Sequence, residues 1–382
     1  MKIALYYPWI YLKSGIERTI LELTKRSRHD WTVFTSHFDP EGTFSEFKGK
    51  KIVELKKIPV DRSYLGVLKA AVTIIFQKID MGQYDALYVH SEGLGDFITF
   101  RNHAKPVICF CHTPLKIIHD PCIRSVYLKN NMLKAPVFTA FSLIFNFIDR
   151  LAWKNYYHVF CVSQEVKSRA LKAQLAQSKD MEVIYRGVDT QAMQPTWKYE
   201  NYFLHPTRIK WWKNVGLSIR AFEEFKKANP DFKEFKLIIT GQVDKGSNAY
   251  YKYILDMRKG GLGIEIIPNI SEENLTGLYK NCYAVLNTTL NEDWGLVPLE
   301  AMAYGKPVIA VNQGGPKESI VHNKNGFLVE PTAKGFAEVM ALLAENKGLV
   351  LDIGKEARAH SLKYDWSNFV NYIDAYLESI KT

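Results

Sequence analysis

Residues 287–315 read NTTLNEDWGLVPLEAMAYGKPVIAVNQGG and pass from the end of a strand, through a short helix and a second strand, to a glycine turn. The first strand is predicted to end near Asn287. The helix is predicted over residues 297–304, because Pro298 suits the first turn of a helix and Gly305 suits the position after its end. A strand, a helix and a strand in so short a stretch predict a parallel sheet covered by helices.

The same alternation of short apolar runs and longer helical segments continues along the whole chain. In the first half we predict strands at residues 2–7, 33–37, 86–90, 107–112, 159–163 and 183–185. In the second half we predict strands at residues 202–206, 237–240, 264–268, 284–287, 308–311 and 327–329. This is an α/β pattern with two doubly wound, Rossmann-like parallel-sheet domains. We place them at residues 1–190 and 191–364, with an irregular linker in 187–201; the terminal segment 365–382 contains a helix over 367–381 whose broad apolar face must be buried.

Composition narrows the class of protein. The 382 residues are 47% apolar and 24% charged, which is typical of globular proteins and disfavours disorder, collagen and coiled coils. The net charge of +10 suits an anionic partner: a nucleotide, a nucleic acid or an acidic membrane surface. The five cysteines are scattered and form no Cys-x-x-Cys pair, so a disulfide framework or a zinc site is not expected.

Two segments bear on localisation. The N-terminus has no long apolar region or small-residue cleavage site and is read as a first strand rather than a signal peptide. The longest apolar run, residues 135–148, is about 14 residues long and falls short of the ~20 that span a bilayer. We therefore expect a soluble, cytoplasmic protein in a reducing compartment.

Ligands of open parallel sheets bind beyond the carboxyl ends of the strands, where helix N-termini point amide groups at anions. Glu292 is predicted in a loop that follows a strand, and Glu300 in the first turn of the next helix. Carboxylates placed there can accept hydrogen bonds from the vicinal hydroxyls of a ribose or hexose. Alternatively, Glu300 only complements the helix N-terminus and Glu292 is solvated.

Two further groups follow strands of the second half. Arg208 and Lys213 lie in one loop, where a guanidinium and an ammonium can neutralise a diphosphate and favour its departure. The alternative is a solvated basic loop. The pair Gly314 and Gly315 can let backbone amides approach a phosphate or sugar, but it can equally be an ordinary turn; Glu318 can contact a sugar or favour a helix start.

The first half offers the fourth group. Ser14 and Gly15 follow the first strand and would let that loop approach a ligand closely. His112 and Thr113 follow the strand at 107–112, and His112 can donate to a sugar hydroxyl or an oxyanion, although a lone histidine is often structural. A nucleotide-sugar site in a cleft between the two domains accounts for all four groups.

The stretch NEDWGLVPLEAMAYGKPVIAVNQGGPKESI resembles the donor-site signature of family 4 glycosyltransferases, which are retaining enzymes of the GT-B fold. The resemblance extends to SGIERTILEL, CHTP, HVFCVSQEVKSRAL, VIYRGVD and HPTRIKWWKNVGLSIRAF, and so spans nearly the whole chain. The sequence differs from many members in having Ser14 before Gly15 and in having Trp294 where another residue, often Phe, stands.

This resemblance implies roles for individual residues. Glu292 would contact donor-sugar hydroxyls, Glu300 the ribose hydroxyls, and Arg208 with Lys213 the diphosphate. The Gly15 loop would approach the phosphates, and His112 would lie near the sugar and the reacting atoms. The donor-binding set is Gly15, Arg208, Lys213, Glu292, Trp294, Gly295, Leu296 and Glu300, and the catalytic set is His112, Glu292, Arg208 and Lys213. The resemblance also implies no divalent metal and no cofactor besides the donor, and a C-terminal helix that crosses back to the first domain.

The CHTP segment and the glycine turn look most like mannosyl-transferring members, so GDP-mannose is favoured slightly over UDP-sugars. The acceptor is expected to be a glycan or lipid-linked hydroxyl held by the first domain, with Lys116 and Arg124 as candidate contacts. With Lys129, Lys134 and a helix over 137–153, these cations can place the protein on the cytoplasmic face of an anionic membrane; the alternative is an ordinary core helix with solvated lysines.

Two rival functions remain open. A nucleotide-sugar epimerase or hydrolase of the same fold would transfer nothing to an acceptor. A nucleic-acid-binding protein would suit the net charge of +10 and the 21 Tyr, 21 Phe and 8 Trp, but it should interleave aromatic and basic residues on one patch. Here the aromatic residues are spread through predicted strands and helices, and no nucleic-acid motif is present. We therefore expect no nucleic-acid partner.

Overall fold

A computed structural model describes residues 1–61, 63–243, 245–258 and 263–380. The chain forms two compact units, one of Met1–Arg186 with Trp366–Thr382 and the other of Gly187–Asp365. The last two residues of the chain, which include the predicted end of the terminal helix at Lys381, lie outside the described residues.

The first unit is built on a parallel sheet of seven described strands in the order β3-β2-β1-β4-β5-β6-β7. The strands are β1 Lys2–Tyr6, β2 Asp30–Thr35, β3 Ile52–Glu54, β4 Ala86–Ser91, β5 Val107–Cys111, β6 His158–Cys161 and β7 Met181–Val183. The helices are α1 Gly15–Arg26, α2 Tyr64–Phe76, α3 Lys116–His119, α4 Pro121–Asn130, α5 Ala135–Trp153, α6 Gln164–Lys172 and, at the end of the chain, α14 Trp366–Ser379. Because the order reverses at β1 and β4, this sheet is doubly wound.

The second unit repeats the plan with six described strands in the order β10-β9-β8-β11-β12-β13, all parallel. They are β8 Tyr202–Pro206, β9 Lys236–Gly241, β10 Ile264–Pro268, β11 Ala284–Asn287, β12 Val308–Val311 and β13 Phe327–Val329. The helices are α7 Val215–Ala228, α8 Asn248–Met257, α9 Glu272–Asn281, α10 Leu296–Ala303, α11 Pro316–Ser319, α12 Ala333–Glu345 and α13 Lys347–Ser361. The predicted α/β fold class is confirmed.

The terminal helix α14 packs within the first unit. Phe369 is buried and its ring lies 5.2 Å from that of Phe110 in β5. The buried carboxylate of Asp374 accepts hydrogen bonds from the Ser27 hydroxyl (2.5 Å) and the Arg28 amide (3.0 Å) just after α1. The apolar face seen in the sequence is therefore buried against the sheet and α1.

One expectation about the chain's apolar segments is wrong. The apolar run is expected to end at residue 148, but the helical segment Met132–Trp153 has 22 residues and is long and apolar enough to cross a membrane, by length and composition only. The helix continues past Asp149, whose side chain is fully buried. Of the most apolar 18-residue window, 22% is buried within the protein.

Candidate functional site

The loop after β8 holds Arg208 at the carboxyl edge of the second sheet. The Thr207 amide donates to the Thr240 carbonyl at 2.7 Å, which draws this loop against the end of β9. Gly241 has φ +151°, and a Cβ there would lie 1.7 Å from the Thr207 carbonyl oxygen, so only glycine allows the approach. Arg208 is half-buried, and no hydrogen bond or ion pair engages its guanidinium within the described part of the chain.

The loops after β8 and β11 are fastened together by Thr288, the first residue after β11. Its hydroxyl lies 2.9 Å from the Lys213 carbonyl and 3.0 Å from the Asn214 carbonyl and can donate to either. The Leu290 amide donates to the Trp212 carbonyl at 2.9 Å. Asn214 adopts φ +52°, a left-handed conformation that asparagine tolerates, and ends the turn that presents Lys213.

The structure brings Lys213 and Glu292 together. The Lys213 ammonium lies 2.6 Å from a Glu292 carboxylate oxygen, and each side chain is 16% exposed. The two residues are 79 positions apart in sequence and meet because β8 and β11 are adjacent parallel strands. The residue predicted to bind phosphate and the residue predicted to bind sugar thus form a mostly buried ion pair with each other.

The turn formed by Gly314 and Gly315 packs against the loop that holds Glu292. A Cβ on Gly314 would lie 2.2 Å from the Glu292 carbonyl oxygen, and one on Gly315 would lie 2.4 Å from the Trp294 Cα. The Gly315 amide donates to the Glu292 carbonyl at 2.7 Å. The Trp294 side chain is fully buried, with its ring 5.4 Å from that of Tyr364. These contacts give both glycines and the indole a packing role that fixes the position of Glu292.

Glu300 is the fifth residue of α10 rather than the fourth, because the helix begins one residue earlier than predicted, at Leu296, after Gly295 with φ +88°. The Tyr279 hydroxyl donates to the Glu300 carboxylate at 2.6 Å. Tyr279 is buried and stacks on Tyr304 with ring centroids 5.5 Å apart. Burial and the Glu300 charge raise the pKa of Tyr279 well above its usual value, so the hydroxyl keeps its proton and remains a donor.

In the first unit, Ser14 and Gly15 form the N-terminus of α1. The Ser14 hydroxyl oxygen accepts from the Ile16 amide at 3.2 Å and so caps the helix, and the Glu17 carboxylate accepts from the Ser14 hydroxyl. The Gly15 carbonyl accepts from the Arg186 guanidinium at 3.1 Å. Arg186 thereby ties the loop after β1 to the end of the first unit.

His112 is buried and hydrogen-bonded through both ring nitrogens. Its Nδ1 lies 3.4 Å from Nη1 of Arg186, and its Nε2 lies 2.8 Å from Nδ1 of His90. Because a guanidinium can only donate, Nδ1 of His112 accepts and Nε2 carries the proton that is donated to His90. Burial and the Arg186 charge hold the pKa of His112 well below its usual value, so the ring is neutral. In this arrangement neither nitrogen faces a ligand.

The candidate acceptor residues follow on neighbouring short helices of the first unit. Lys116 begins α3, and Arg124 lies on α4 with its guanidinium 6.0 Å from the ring centroid of Phe138. Both are partly exposed. Just before them, the Thr113 hydroxyl accepts from Arg169 at 2.7 Å and is engaged inside the unit.

The two units match two successive glycosyltransferase families. Residues 13–192 match the family described as Glycosyltransferase Family 4, and residues 190–360 match Glycosyl transferases group 1. The chain is a glycosyltransferase with one domain of each family.

Curated relatives of this glycosyltransferase include mannosyltransferases. The chain is 31% identical over 187 residues to mouse "Alpha-1,3/1,6-mannosyltransferase ALG2", an alignment that covers 47% of the chain and 45% of the relative's length. It is 26% identical over 388 residues to the protein of the same name from Dictyostelium discoideum, with 88% of each covered. Among solved structures, Anabaena Alr3699/HepE in complex with UDP and glucose aligns with TM-score 0.77 at 19% identity, covering 99% of this chain and 100% of that one. At that identity the match shows the shared fold.

Several residues that build the candidate site were not predicted from sequence. Tyr279 orients Glu300, Thr288 joins two loops, Gly241 admits the Arg208 loop, and Arg186 engages His112. Gly241, at the end of the sequence IITG, could have indicated that another backbone segment lies close to the end of this strand. The other three act through contacts between distant segments, which no local pattern reveals.

No group of three or more His, Cys, Asp or Glu side chains placed to hold a metal ion occurs among residues 1–61, 63–243, 245–258 and 263–380. The absence of a metal requirement remains an expectation drawn from the family resemblance.

Proposed function

We propose that this glycosyltransferase moves a mannosyl group from GDP-mannose to a hydroxyl of a glycan or lipid-linked acceptor, with retention of anomeric configuration. The observation that carries the proposal is the Lys213–Glu292 pair, at 2.6 Å, whose lysine lies on the loop that also holds Arg208. A cation pair suits a diphosphate, and the adjacent carboxylate suits sugar hydroxyls. The mannosyltransferase relatives support the choice of sugar.

The donor site is proposed to lie along the carboxyl edge of β8 and β11. Arg208 and Lys213 would bind the diphosphate, and Glu292 would accept from the sugar hydroxyls once Lys213 turns toward phosphate. Glu300, held by Tyr279, would accept from the ribose hydroxyls. The backbone of Gly295 and Leu296 begins α10 and would offer amide groups to the donor.

The reaction breaks the bond between the anomeric carbon and the diphosphate oxygen and forms a bond between that carbon and the acceptor oxygen. The acceptor proton passes to the departing phosphate oxygen on the same face of the sugar, so no protein nucleophile is required. Arg208 and Lys213 stabilise the charge that accumulates on the diphosphate. On the first unit, Gly15 would approach the phosphates, and His112 would donate to the sugar after giving up its hydrogen bond to His90.

A UDP-sugar is the second candidate donor. The observation that favours it is the similarity in fold to HepE, whose structure is described as a complex with UDP and glucose. The two donors differ in base and sugar but share the diphosphate and ribose, so Arg208, Lys213 and Glu300 serve either. The base therefore has to be determined by binding.

A thermal-shift panel of GDP, UDP, ADP and CMP with their sugars, on wild type and Glu300→Ala, tests the donor site. A ligand at 100 times its dissociation constant stabilises the folded protein by about 2.7 kcal/mol, which moves the melting midpoint by several degrees. We expect the largest shift with GDP-mannose and a smaller one in the variant. No shift with any nucleotide at millimolar concentration would remove the proposal.

The rival activities are distinguished by incubating the preferred donor without acceptor. A hydrolase would release free sugar, and an epimerase would form an isomeric nucleotide sugar. A transferase leaves the donor unchanged until an acceptor is added, and NMR of the product then reports whether the anomeric configuration is retained.

A further inference from the structure

His205 is a buried polar residue in a central strand of the second sheet. It lies in β8, where all five residues are buried, and it is only 1% exposed. The side chains of Phe203 and Leu204 in the same strand are fully buried as well. An imidazole in such surroundings loses its contacts with water, and only hydrogen bonds within the protein can offset that cost. The partners of the ring therefore indicate why this position is not apolar.

One side of the His205 ring contacts helix α7. Nδ1 of His205 lies 2.9 Å from the hydroxyl of Ser218, which is fully buried near the start of that helix. The Ser218 hydroxyl also lies 2.7 Å from the Val215 carbonyl and can donate to either partner. Helix α7 begins at Val215, two residues after Lys213. The ring is thus held against the helix that follows the Lys213 turn.

The other side of the ring reaches the Lys213 turn through Thr288. Nε2 of His205 lies 3.4 Å from the Thr288 hydroxyl. That hydroxyl lies 2.9 Å from the carbonyl of Lys213 and 3.0 Å from the carbonyl of Asn214. Because carbonyls can only accept, the Thr288 proton is donated to one of them, and the Thr288 oxygen accepts from Nε2–H of His205. Nδ1 then accepts from the Ser218 hydroxyl.

The His205 ring is neutral and its contacts are shielded from water. Burial and, after it, the charge of Lys213 lower the pKa of His205 to about 3. Ser218 and Thr288 are both fully buried, so water does not replace a hydrogen bond that is lost between them. The bonds run in one direction, from Ser218 through the ring and Thr288 to the backbone of the turn. Such a chain fixes the orientation of every group in it.

We propose that His205 is a positioning residue for the diphosphate of the donor. The ring holds Thr288, Thr288 holds the backbone at Lys213, and the ammonium is thereby kept at the carboxyl edge of the sheet, where it can meet phosphate. His205 is itself buried and acts only through Thr288. The inference rests on the proposed function in one respect, namely that the ligand of Lys213 is a diphosphate.

The proposal is tested by calorimetric titration of GDP and UDP into the purified full chain and its variants. His205→Leu keeps an apolar side chain in the core and removes both hydrogen bonds of the ring. His205→Gln places an amide N–H close to the position of Nε2, whereas His205→Asn places its amide close to that of Nδ1. Only the glutamine can therefore still donate to Thr288.

Two comparisons separate positioning from packing. The first repeats His205→Leu in a Lys213→Gln background, where the side chain to be positioned is absent. The second is the matched control Tyr283→Phe, which removes another buried hydrogen bond of the second unit, from the Tyr283 hydroxyl to the Leu343 carbonyl at 2.9 Å. Melting midpoints establish that each variant is folded.

We expect His205→Leu to bind the preferred diphosphate about three- to tenfold more weakly, as for the loss of one buried hydrogen bond. His205→Gln should stay within about twofold of the wild type, and His205→Asn should resemble His205→Leu. In the Lys213→Gln background, His205→Leu should cause no further loss of affinity. Tyr283→Phe should lower the melting midpoint and leave the affinity unchanged.

Wild-type affinity in His205→Leu would overturn the proposal. A loss of the same size in the Lys213→Gln background would also overturn it and would assign His205 to packing alone. If His205→Leu does not fold, the glutamine and asparagine variants decide, and equal affinities of these two would count against the proposal. These results leave the donor site standing, whereas a wild type that binds neither GDP nor UDP would remove the donor site and this inference together.

Discussion

Replacing Glu292 by Gln should strengthen the binding of a bare nucleoside diphosphate while it weakens transfer from the nucleotide sugar. The Lys213 ammonium is paired with the Glu292 carboxylate at 2.6 Å. A diphosphate must draw the ammonium away from that carboxylate, so the ion pair competes with the ligand. Glutamine keeps the size of the side chain and removes the competing charge.

The magnitude follows from the burial of the pair. Each side chain is 16% exposed, so the interaction is stronger than an exposed ion pair, which contributes about 0–1 kcal/mol. A hydrogen bond to a charged group contributes about 1.5–3 kcal/mol, and glutamine retains part of it as an acceptor. If the variant removes about 1–2 kcal/mol of competing interaction, the dissociation constant of the diphosphate should fall about five- to thirtyfold.

The assay is calorimetric titration of GDP and UDP into wild type and Glu292→Gln, followed by transfer rates with the preferred donor. Glu338→Gln is the matched control, because Glu338 forms an exposed ion pair with Lys334 elsewhere in the second unit. Its titration should match the wild type. Lys213→Gln should instead weaken the binding of either diphosphate.

If Glu292→Gln binds the preferred diphosphate no more tightly than the wild type does, Glu292 does not compete with the diphosphate for Lys213. The Lys213 ammonium would then not need to leave Glu292 when phosphate binds. An unchanged transfer rate would separately refute the role of Glu292 at the sugar hydroxyls.

Tyr279→Phe removes the donor that orients Glu300 and should raise the donor KM about tenfold with little change in kcat, as measured by steady-state kinetics; an unchanged KM would mean that Glu300 needs no orientation. Gly241→Ala would place a Cβ 1.7 Å from the Thr207 carbonyl and should lower the free energy of unfolding by about 3 kcal/mol in a denaturant titration, whereas wild-type stability would show that the loop can move away. Burial raises the pKa of Asp149 to about 8, above its value in the unfolded chain. The contribution of this carboxyl to the free energy of unfolding is therefore complete below about pH 4 and is lost as the pH rises toward 8. Asp149→Asn should flatten that decline in denaturant midpoints between pH 5 and 8, and an equally steep decline in the variant would contradict the assignment.

The central strands of the second sheet were predictable because they are short, buried and apolar. β11 and β12 have the bounds expected from sequence, and so does the edge strand β13, which is wholly apolar and buries Phe327. β3 was missed because it has only three residues at the sheet edge, two of them exposed, and leaves no buried run to recognise. Burial on both faces of a central strand imposes a sequence pattern that an edge strand does not need.

The sequence predicted which candidate side chains follow the strands, but it did not predict how they pair. The rule that ligands bind beyond the carboxyl ends of strands selected Lys213 and Glu292 independently, and the adjacency of β8 and β11 then brought them together. Their mutual ion pair was not predictable, because it depends on how far each loop extends, and Thr288 and the glycine pair set that extension.

The position of His112 at the end of a strand does not decide whether its imidazole can donate to a ligand. Such a position gives access to the edge of the sheet, but whether an imidazole can donate depends on what holds its two nitrogens. Arg186 lies 74 residues away and can only donate, so it forces the tautomer whose remaining proton points at His90. The next nitrogen, Nε2 of His90, is buried without a hydrogen-bond partner in the described chain. An unsatisfied buried donor makes this chain of contacts less stable than a complete one, and a His112 that turned away would leave both nitrogens of His90 without a partner, so any role of His112 at a ligand has to offset that loss.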